Sequence, residues 1–353
     1  MKIVYSFNKV GSEAAGWEKE IAAASDGQIS FFPFNHGAIV DPSQYATAQA
    51  LDLLYQRSDR RLLRLYEAFE EYLKATAADA VIVTNCPPYH PDYLRRLRIY
   101  KVLYSADDPG ATYLINIPYL HAYDHVFFVT PTYSRDLDMK GKMTYAGKIN
   151  ADWLPISVFD FEYEADRSED DLFSQPRDID IIYVGGFWRQ KLGVLAEVRR
   201  AFGRRFRMYV FFKLRHNLFM KVRYGYSGWV SPVSVEERVS LYQRAKIGIN
   251  IHWNEYGLGN QRLYHLPANG VMQISDCEDN LHHVFEPDRE IVGYRGTDDL
   301  IDKLKHFLVN DSERLAIAKR AYRRTMRDYR LAVVCNRAGL LIREGMDRIC
   351  WKP

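Results

Sequence analysis

Between Glu255 and Gly270 the chain sets two glycines, an asparagine and an arginine where a loop runs into a helix: Glu255-Tyr256-Gly257-Leu258-Gly259-Asn260-Gln261-Arg262. Gly257 and Gly259 let backbone lie close against a ligand. Asn260 is a fair cap for a helix over Gln261–Asn269, which Gly270 ends. A helix start offers unpaired amides and the positive end of its dipole, and Arg262 in the first turn adds a full charge. Together they suit a diphosphate; the alternative is a glycine-containing loop ahead of a core helix. A second stretch, Tyr183-Val184-Gly185-Gly186-Phe187-Trp188-Arg189-Gln190-Lys191, is a strand, a glycine turn and two cations. Gly185 and Gly186 allow amides to approach an anion, and Arg189 or Lys191 can neutralise a departing diphosphate. An ordinary strand-to-helix turn with surface cations reads the same way. Neither the Walker pattern nor G-x-G-x-x-G is present.

Other candidates follow apolar runs in the same manner. Asn250 and His252, at the end of Lys246–Trp253, can hydrogen-bond a base or a ribose; a lone histidine there is as often structural. Asp107 and Asp108 precede Pro109-Gly110, so either carboxylate can take a proton from an acceptor hydroxyl or fix a sugar hydroxyl, or the run is simply a turn. Lys9, Gly11 and Asn85 are acceptor-side candidates, with His90 and then His36 weaker. Ser234 and Glu237 read as a capping box for a helix ending near Ala245.

The elements that would position these residues alternate twice between short apolar runs and helical periods, the pattern of parallel sheets with helical crossovers. The first half gives strands at Lys2–Phe7, Ile29–Phe34, Ala80–Thr84, Val102–Ser105 and Val126–Val129, with helices over Glu13–Ala24, Leu62–Ala75 and Tyr93–Ile99. The second gives Ile179–Val184, Met208–Phe212, Ile247–Ile251, Val271–Ser275 and Ile291–Tyr294, then helix from Ser312 to Ile349. An acidic, Pro-flanked stretch, Phe159–Asp178, reads as a linker. The organisation expected is 1–158, a linker at 159–178, a second domain at 179–330, and a helical tail at 331–353. In open sheets of this kind ligands lie beyond the carboxyl ends of the strands, where these candidates fall.

A chain of 353 residues suits two such domains, and with 47% hydrophobic and 26% charged residues it is a globular composition. No apolar run approaches the ~20 residues of a membrane span, and Met1 leads straight into a strand without a signal-like segment, so a cytoplasmic location is expected. Cys86, Cys277, Cys335 and Cys350 form no C-x-x-C pair, which argues against a zinc knuckle or a disulfide framework. Formal charge is +3, yet Val198–Val235 holds nine Lys/Arg and no acid, interleaved with aromatics. Such a run can bind anionic lipid, nucleic acid or a polyanion, or it can be one buried strand with a solvated face. No nucleic-acid module accompanies it, so the 199–223 run is kept as a peripheral membrane contact.

Taken in order, Asp107-Asp108-Pro109, Asp178–Gly185 with Arg189, Ala245–Asn250, Gly259-Asn260-Gln261-Arg262 and Phe285–Glu290 resemble the CgeB-like, group 1 glycosyltransferases. The likeness covers Ile179–Arg330 well and the first half by architecture. It implies a GT-B fold: two Rossmann-like domains facing each other across a cleft, with carboxy-terminal helices packing back on the first. It further implies a nucleoside-diphosphate sugar as donor, held by Gly185, Gly186, Lys191, Asn250, His252, Gly259, Asn260, Arg262 and His265. The acceptor would be a glycan, a lipid-linked saccharide, a protein or a small molecule. Asp107, Asp108 and Arg189 are the catalytic candidates, transfer would proceed with retention, and neither metal nor cofactor is implied. One departure is visible: the family usually has an aromatic and then Glu after Asn-x-Arg, whereas Tyr264 is followed here by His265. A nucleotide-sugar epimerase of the same architecture and a non-catalytic nucleotide-sugar binder are the rival expectations.

Overall fold

The computed structural model describes residues 1–41, 44, 47–85, 87–106, 116–131, 150–186, 189–210, 215–252 and 258–348, with the backbone alone at 12, 189, 190, 215, 216 and 235. They form two units, Met1–Phe159 with Arg330–Pro353, and Asp160–Tyr329.

In the first unit β1 (Lys2–Phe7), β2 (Ser30–Asn35), β3 (Ala80–Thr84), β4 (Tyr100–Ser105), β5 (His125–Phe128) and β6 (Asn150–Trp153) pair in the order β2-β1-β3-β4-β5-β6, every pair parallel. The central strands are apolar throughout because helices cover both faces. Val4, Val81, Val83 and Leu103 meet Leu51 of α2 (Ala48–Gln56) and Leu62, Leu65 and Phe69 of α3 (Arg60–Thr76). The opposite face, with Ile3, Tyr5, Ile82 and Val102, meets Ile21 of α1 (Ser12–Ala23). A one-turn helix, α4 (Pro91–Leu94), stands where the periodicity suggests a longer one over Tyr93–Ile99.

The second unit contains α5 (Glu169–Ser174), β7 (Ile179–Gly185), α6 (Arg189–Phe202), β8 (Phe206–Val210), α7 (Arg215–Tyr224), β9 (Val230–Pro232), α8 (Val235–Gln243), β10 (Ala245–Asn250), α9 (Arg262–Ala268), β11 (Met272–Ser275), β12 (Val292–Gly293), α10 (Gly296–Val309) and α11 (Asp311–Asp328). Its parallel sheet runs β12-β11-β10-β7-β8-β9. Counted from β7, that is the Rossmann order, which reverses between β7 and β10. The expected capping box is present: Ser234 Oγ accepts from Glu237 N–H, and Glu237 Oε2 accepts from Ser234 N–H. Gly248 matters for packing, since a Cβ there would collide with Leu266 of α9.

One expectation changes. The stretch 159–178 is not a free linker: from Asp160 onward it belongs to the second unit, because its acids find cations there. Asp178 takes a bidentate contact from Arg244 at 2.8 and 2.6 Å, Glu169 pairs with Arg323, and half-buried Arg177 donates to the carbonyls of Ala245, Tyr242 and Asn269. The last two helices fall in different units, with the division near residue 330. α11 stays with the second unit, where Tyr329 donates to Val284 O, and only α12 (Leu331–Arg348) returns to the first. There Val334, Ala338 and Ile342 pack on the sheet, and Gly345 brings the helix against Tyr100 and His125. Among the described residues no helix is long and apolar enough to cross a membrane.

Candidate functional site

The candidate site lies on the carboxyl edge of the second sheet, at the reversal between β7 and β10. Arg262, in the first turn of α9, braces that edge. Its Nη1 donates to Val184 O (2.8 Å), its Nη2 to Ile251 O (3.3 Å) and its Nε to Asn250 Oδ1 (3.3 Å), while the guanidinium sits 4.6 Å above the Tyr183 ring. The side chain ties the ends of both strands together and is buried. Gly185 is glycine for the same reason, since a Cβ would run into the Arg262 guanidinium. The arginine read as a free phosphate ligand therefore spends three donors on protein acceptors and lends its charge to the edge. Asn260 completes the brace: its Nδ2 donates to Asn250 Oδ1 (2.9 Å) and its Oδ1 accepts from Leu263 N–H (3.0 Å). Gly259 lies beside it, partly buried.

Beside this brace several polar groups are buried without a protein partner among the described residues. Lys191, in the first turn of α6, is 6% exposed and makes no hydrogen bond or ion pair there. Burial, and then the neighbouring Arg262 cation, pull its ammonium down to about 7, with Asp276 opposing. Asn250 Nδ2 and Ser275 Oγ, at the ends of β10 and β11, are buried and unpartnered too. His252 is held by Asp276: the backbone N–H reaches both carboxylate oxygens (3.0 and 2.9 Å) and Nδ1 lies 2.5 Å from Oδ1. With the proton on Nδ1 facing the carboxylate, Nε2 is an acceptor, and it is buried with no partner.

His252, Asp276 and Cys277 bring ligand atoms within 4.8 Å of one another. The short His252–Asp276 hydrogen bond already engages the carboxylate, and the cationic charge of Lys191 and Arg262 beside it opposes a dication. The cluster fits an oriented imidazole better than a metal centre.

His265 does not join the group. It is 1% exposed, and its Nε2 lies 3.0 Å from Glu162 Oε2. Burial pushes its pKa down against the pull of that carboxylate. Glu162 also pairs with Arg238 (3.2 Å), and its carbonyl accepts from Asn269 Nδ2. The carboxylate absent after Tyr264 is thus matched by one from the stretch read as a linker, turned inward. Gly186 accepts from Tyr183 OH. Arg189 opens α6, with its side chain outside the described residues, as are Asp107, Asp108 and Glu255. Asp276 and Glu162 were not anticipated. The first follows an apolar run directly and obeys the rule that found His252; nothing in the sequence near Glu162 distinguishes it.

In the first unit Lys9 Nζ pairs with Glu13 (2.9 Å) and lies 4.9 Å over the Trp17 ring. Gly11, at φ 72°, precedes α1. Asn85 takes a left-handed conformation at the end of β3, and its Oδ1 accepts from Ala106 N–H. His90 pairs with Asp52 and stacks on Tyr55, while His36 is buried against Ser6, its pKa forced down to about 3 by desolvation.

Residues 189–337, less than half of the chain, match the model of a family described as glycosyl transferase-like. No curated protein matches the sequence. Among solved structures the chain is similar to sucrose-phosphate synthase from Thermosynechococcus elongatus (TM-score 0.62, 11% identity, 98% of each chain). It is also similar to Anabaena HepE in complex with UDP-glucose (0.60, 10%, 99% of this chain and 100% of that one). A third likeness is to a putative UDP-N-acetylglucosamine 2-epimerase from Listeria monocytogenes (0.57, 12%, 98% and 97%). At these identities the likeness is one of fold, and the two parallel six-stranded sheets with their covering helices are the GT-B fold of glycosyltransferases.

Proposed function

We propose that the chain transfers a sugar from a nucleoside-diphosphate sugar to an acceptor, with the diphosphate bound at the carboxyl edge of the second sheet. The observation that carries this reading is Lys191: a largely buried lysine with no described anionic partner, beside a second fixed cation at the reversal of a Rossmann sheet. A buried cation in that position is costly unless an anion completes it, and the departing diphosphate carries the charge that would. Arg262 contributes field without moving. The unpaired Asn250 Nδ2 and His252 Nε2 offer one donor and one acceptor to the ribose or sugar hydroxyls. The glycosyl transferase-like match, which begins at α6, supports the same half as the donor side, and the HepE complex supports UDP as the first nucleotide to try.

Departure of the diphosphate would be assisted by charge rather than by metal, and retention would need no protein nucleophile. The test is a panel of UDP-, GDP- and ADP-sugars with purified protein, read by thermal shift and by release of nucleoside diphosphate. Stabilisation by one diphosphate series, lost in Lys191→Met, is the expected result; no response to any nucleotide contradicts the reading. The likeness to a putative epimerase keeps one second reading in view. An epimerase would convert the sugar nucleotide with no acceptor present and no net release of diphosphate, so product analysis separates the two.

A further inference from the structure

The acid-free run from Val198 to Val235 does not form one basic face. Arg200 is paired with Glu197, Arg205 with Asp180 at 2.6 Å and Arg207 with Asp178 at 3.6 Å, while Arg199 donates to the carbonyls of Gly203 and Phe206. Exposed Arg204 meets no carboxylate among the described residues, and it lies before β8. Lys221 and Arg223, both on α7, are exposed and also meet none among the described residues. Lys221 lies 5.5 Å over the Trp229 ring and Arg223 5.3 Å over Tyr224.

The same helix holds apolar side chains in water. Asn217 and Met220 face inward, Asn217 bonding both the N–H and the carbonyl of Val230 on β9. One turn apart on the outer face, Leu218 is 69% and Val222 80% exposed, and Trp229 just beyond is 57% exposed. Gly225, at φ 60°, closes the helix, its N–H returning to Lys221 O. An anchored helix thus presents a leucine, a valine and a tryptophan, ringed by two unpaired cations.

We infer that this face, α7 with Trp229, seats the protein on an anionic lipid bilayer. The chemistry selects the partner. Aliphatic side chains insert among acyl chains, tryptophan settles at the headgroup level, and the cations meet lipid phosphates, the arrangement of a helix lying in the interface plane. A nucleic acid or another soluble polyanion would use the cations and the tryptophan but gain nothing from Leu218 and Val222. A second copy meeting this face by two-fold symmetry would set Lys221 and Arg223 against their own kind.

The test is cosedimentation of the full chain with vesicles of phosphatidylcholine alone and of phosphatidylcholine with roughly 30% phosphatidylglycerol, without nucleotide or acceptor. Binding at least about ten-fold stronger to the anionic vesicles is expected. Leu218→Ser with Val222→Ser should lower it by about ten-fold or more; Lys221→Glu with Arg223→Glu should abolish the preference for anionic lipid. Both pairs of substitutions lie on the exposed face, so the thermal transition and its nucleotide-induced shift should match the parent. Equal binding to both vesicle types, no binding to either, or unchanged binding of the Leu218→Ser, Val222→Ser protein overturns the proposal. So does tight binding to heparin that exceeds vesicle binding and ignores the serine substitutions. Because lipid binding is read without donor or acceptor, its failure is separate from failure of the proposed transferase activity.

Discussion

The two units carry related sheets, yet the carboxyl edges of those sheets are finished differently. In the first, the candidate groups are satisfied by the chain itself: Lys9 by Glu13, His36 by Ser6, which also meets Tyr89, and His90 by Asp52. The Thr84 and Thr130 hydroxyls are buried there without a hydrogen-bond partner among the described residues, but both are neutral. In the second, a cation, an amide donor and an imidazole acceptor are buried and left open at Lys191, Asn250 and His252. Buried polar groups are nearly always paired in folded proteins, so open ones gathered at a single reversal point mark where a ligand supplies the missing partners. A charge satisfied by protein serves stability, whereas one left open costs stability and serves binding.

Substitutions separate the two cases. The largest effect is expected at a partnered buried charge: Glu162→Ala strands Arg238 and removes the partner of His265, and should cost about 3–5 kcal/mol in chemical denaturation. Lys191→Met should do the opposite to the ligand-free fold. The native pKa, near 7, lies below the ordinary lysine value of 10.5, so the unfolded chain binds more protons between them and stability rises with pH across that window. Removing the amine therefore stabilises the protein at neutral pH, on the order of 1–3 kcal/mol, while weakening nucleoside-diphosphate binding by roughly 30- to 100-fold. If Lys191→Met instead unfolds the protein, the amine is structural and the contrast between the units fails.

Asp276→Asn tests the imidazole. It removes the carboxylate that fixes the His252 tautomer and should weaken nucleotide or donor binding by about five- to ten-fold, with His252→Phe giving a similar loss and Asp276→Asn in that background adding little. The smallest effect is expected in the first unit, where Lys9→Ala should leave nucleoside-diphosphate affinity within about two-fold. A large loss there would move the diphosphate site out of the second sheet.

Much of the architecture was legible because parallel strands buried on both faces are continuous apolar runs: Ala80–Thr84 and Lys2–Phe7 were readable to the residue. Asn150–Trp153 and Val230–Pro232 were not, being edge strands, one polar and half-buried, the other three residues ending in proline. The candidate site was readable only as strand-end residues, Lys191, Asn250 and His252, which the fold places on one sheet edge. Partnership was not. Nothing local in the sequence says that Arg262 spends its donors on Val184, Asn250 and Ile251, or that Glu162 comes from a distant acidic stretch to meet His265. Those pairings are made by the fold, and they decide whether a charged residue braces or binds.

The most direct test is calorimetric titration of UDP into the protein between pH 7 and 9, in buffers of different ionisation enthalpy. The terminal phosphate, with a pKa of about 6, is largely ionised in this range, so it is not the source of proton uptake, and the Lys191→Met protein controls for the uracil ring. If Lys191 sits open and about half neutral near pH 7, binding must draw a proton onto it. Affinity should then fall by up to about ten-fold per pH unit, with a proton taken up on binding, and both effects should vanish in Lys191→Met. Tight UDP binding that is independent of pH and releases or takes up no proton would contradict the account.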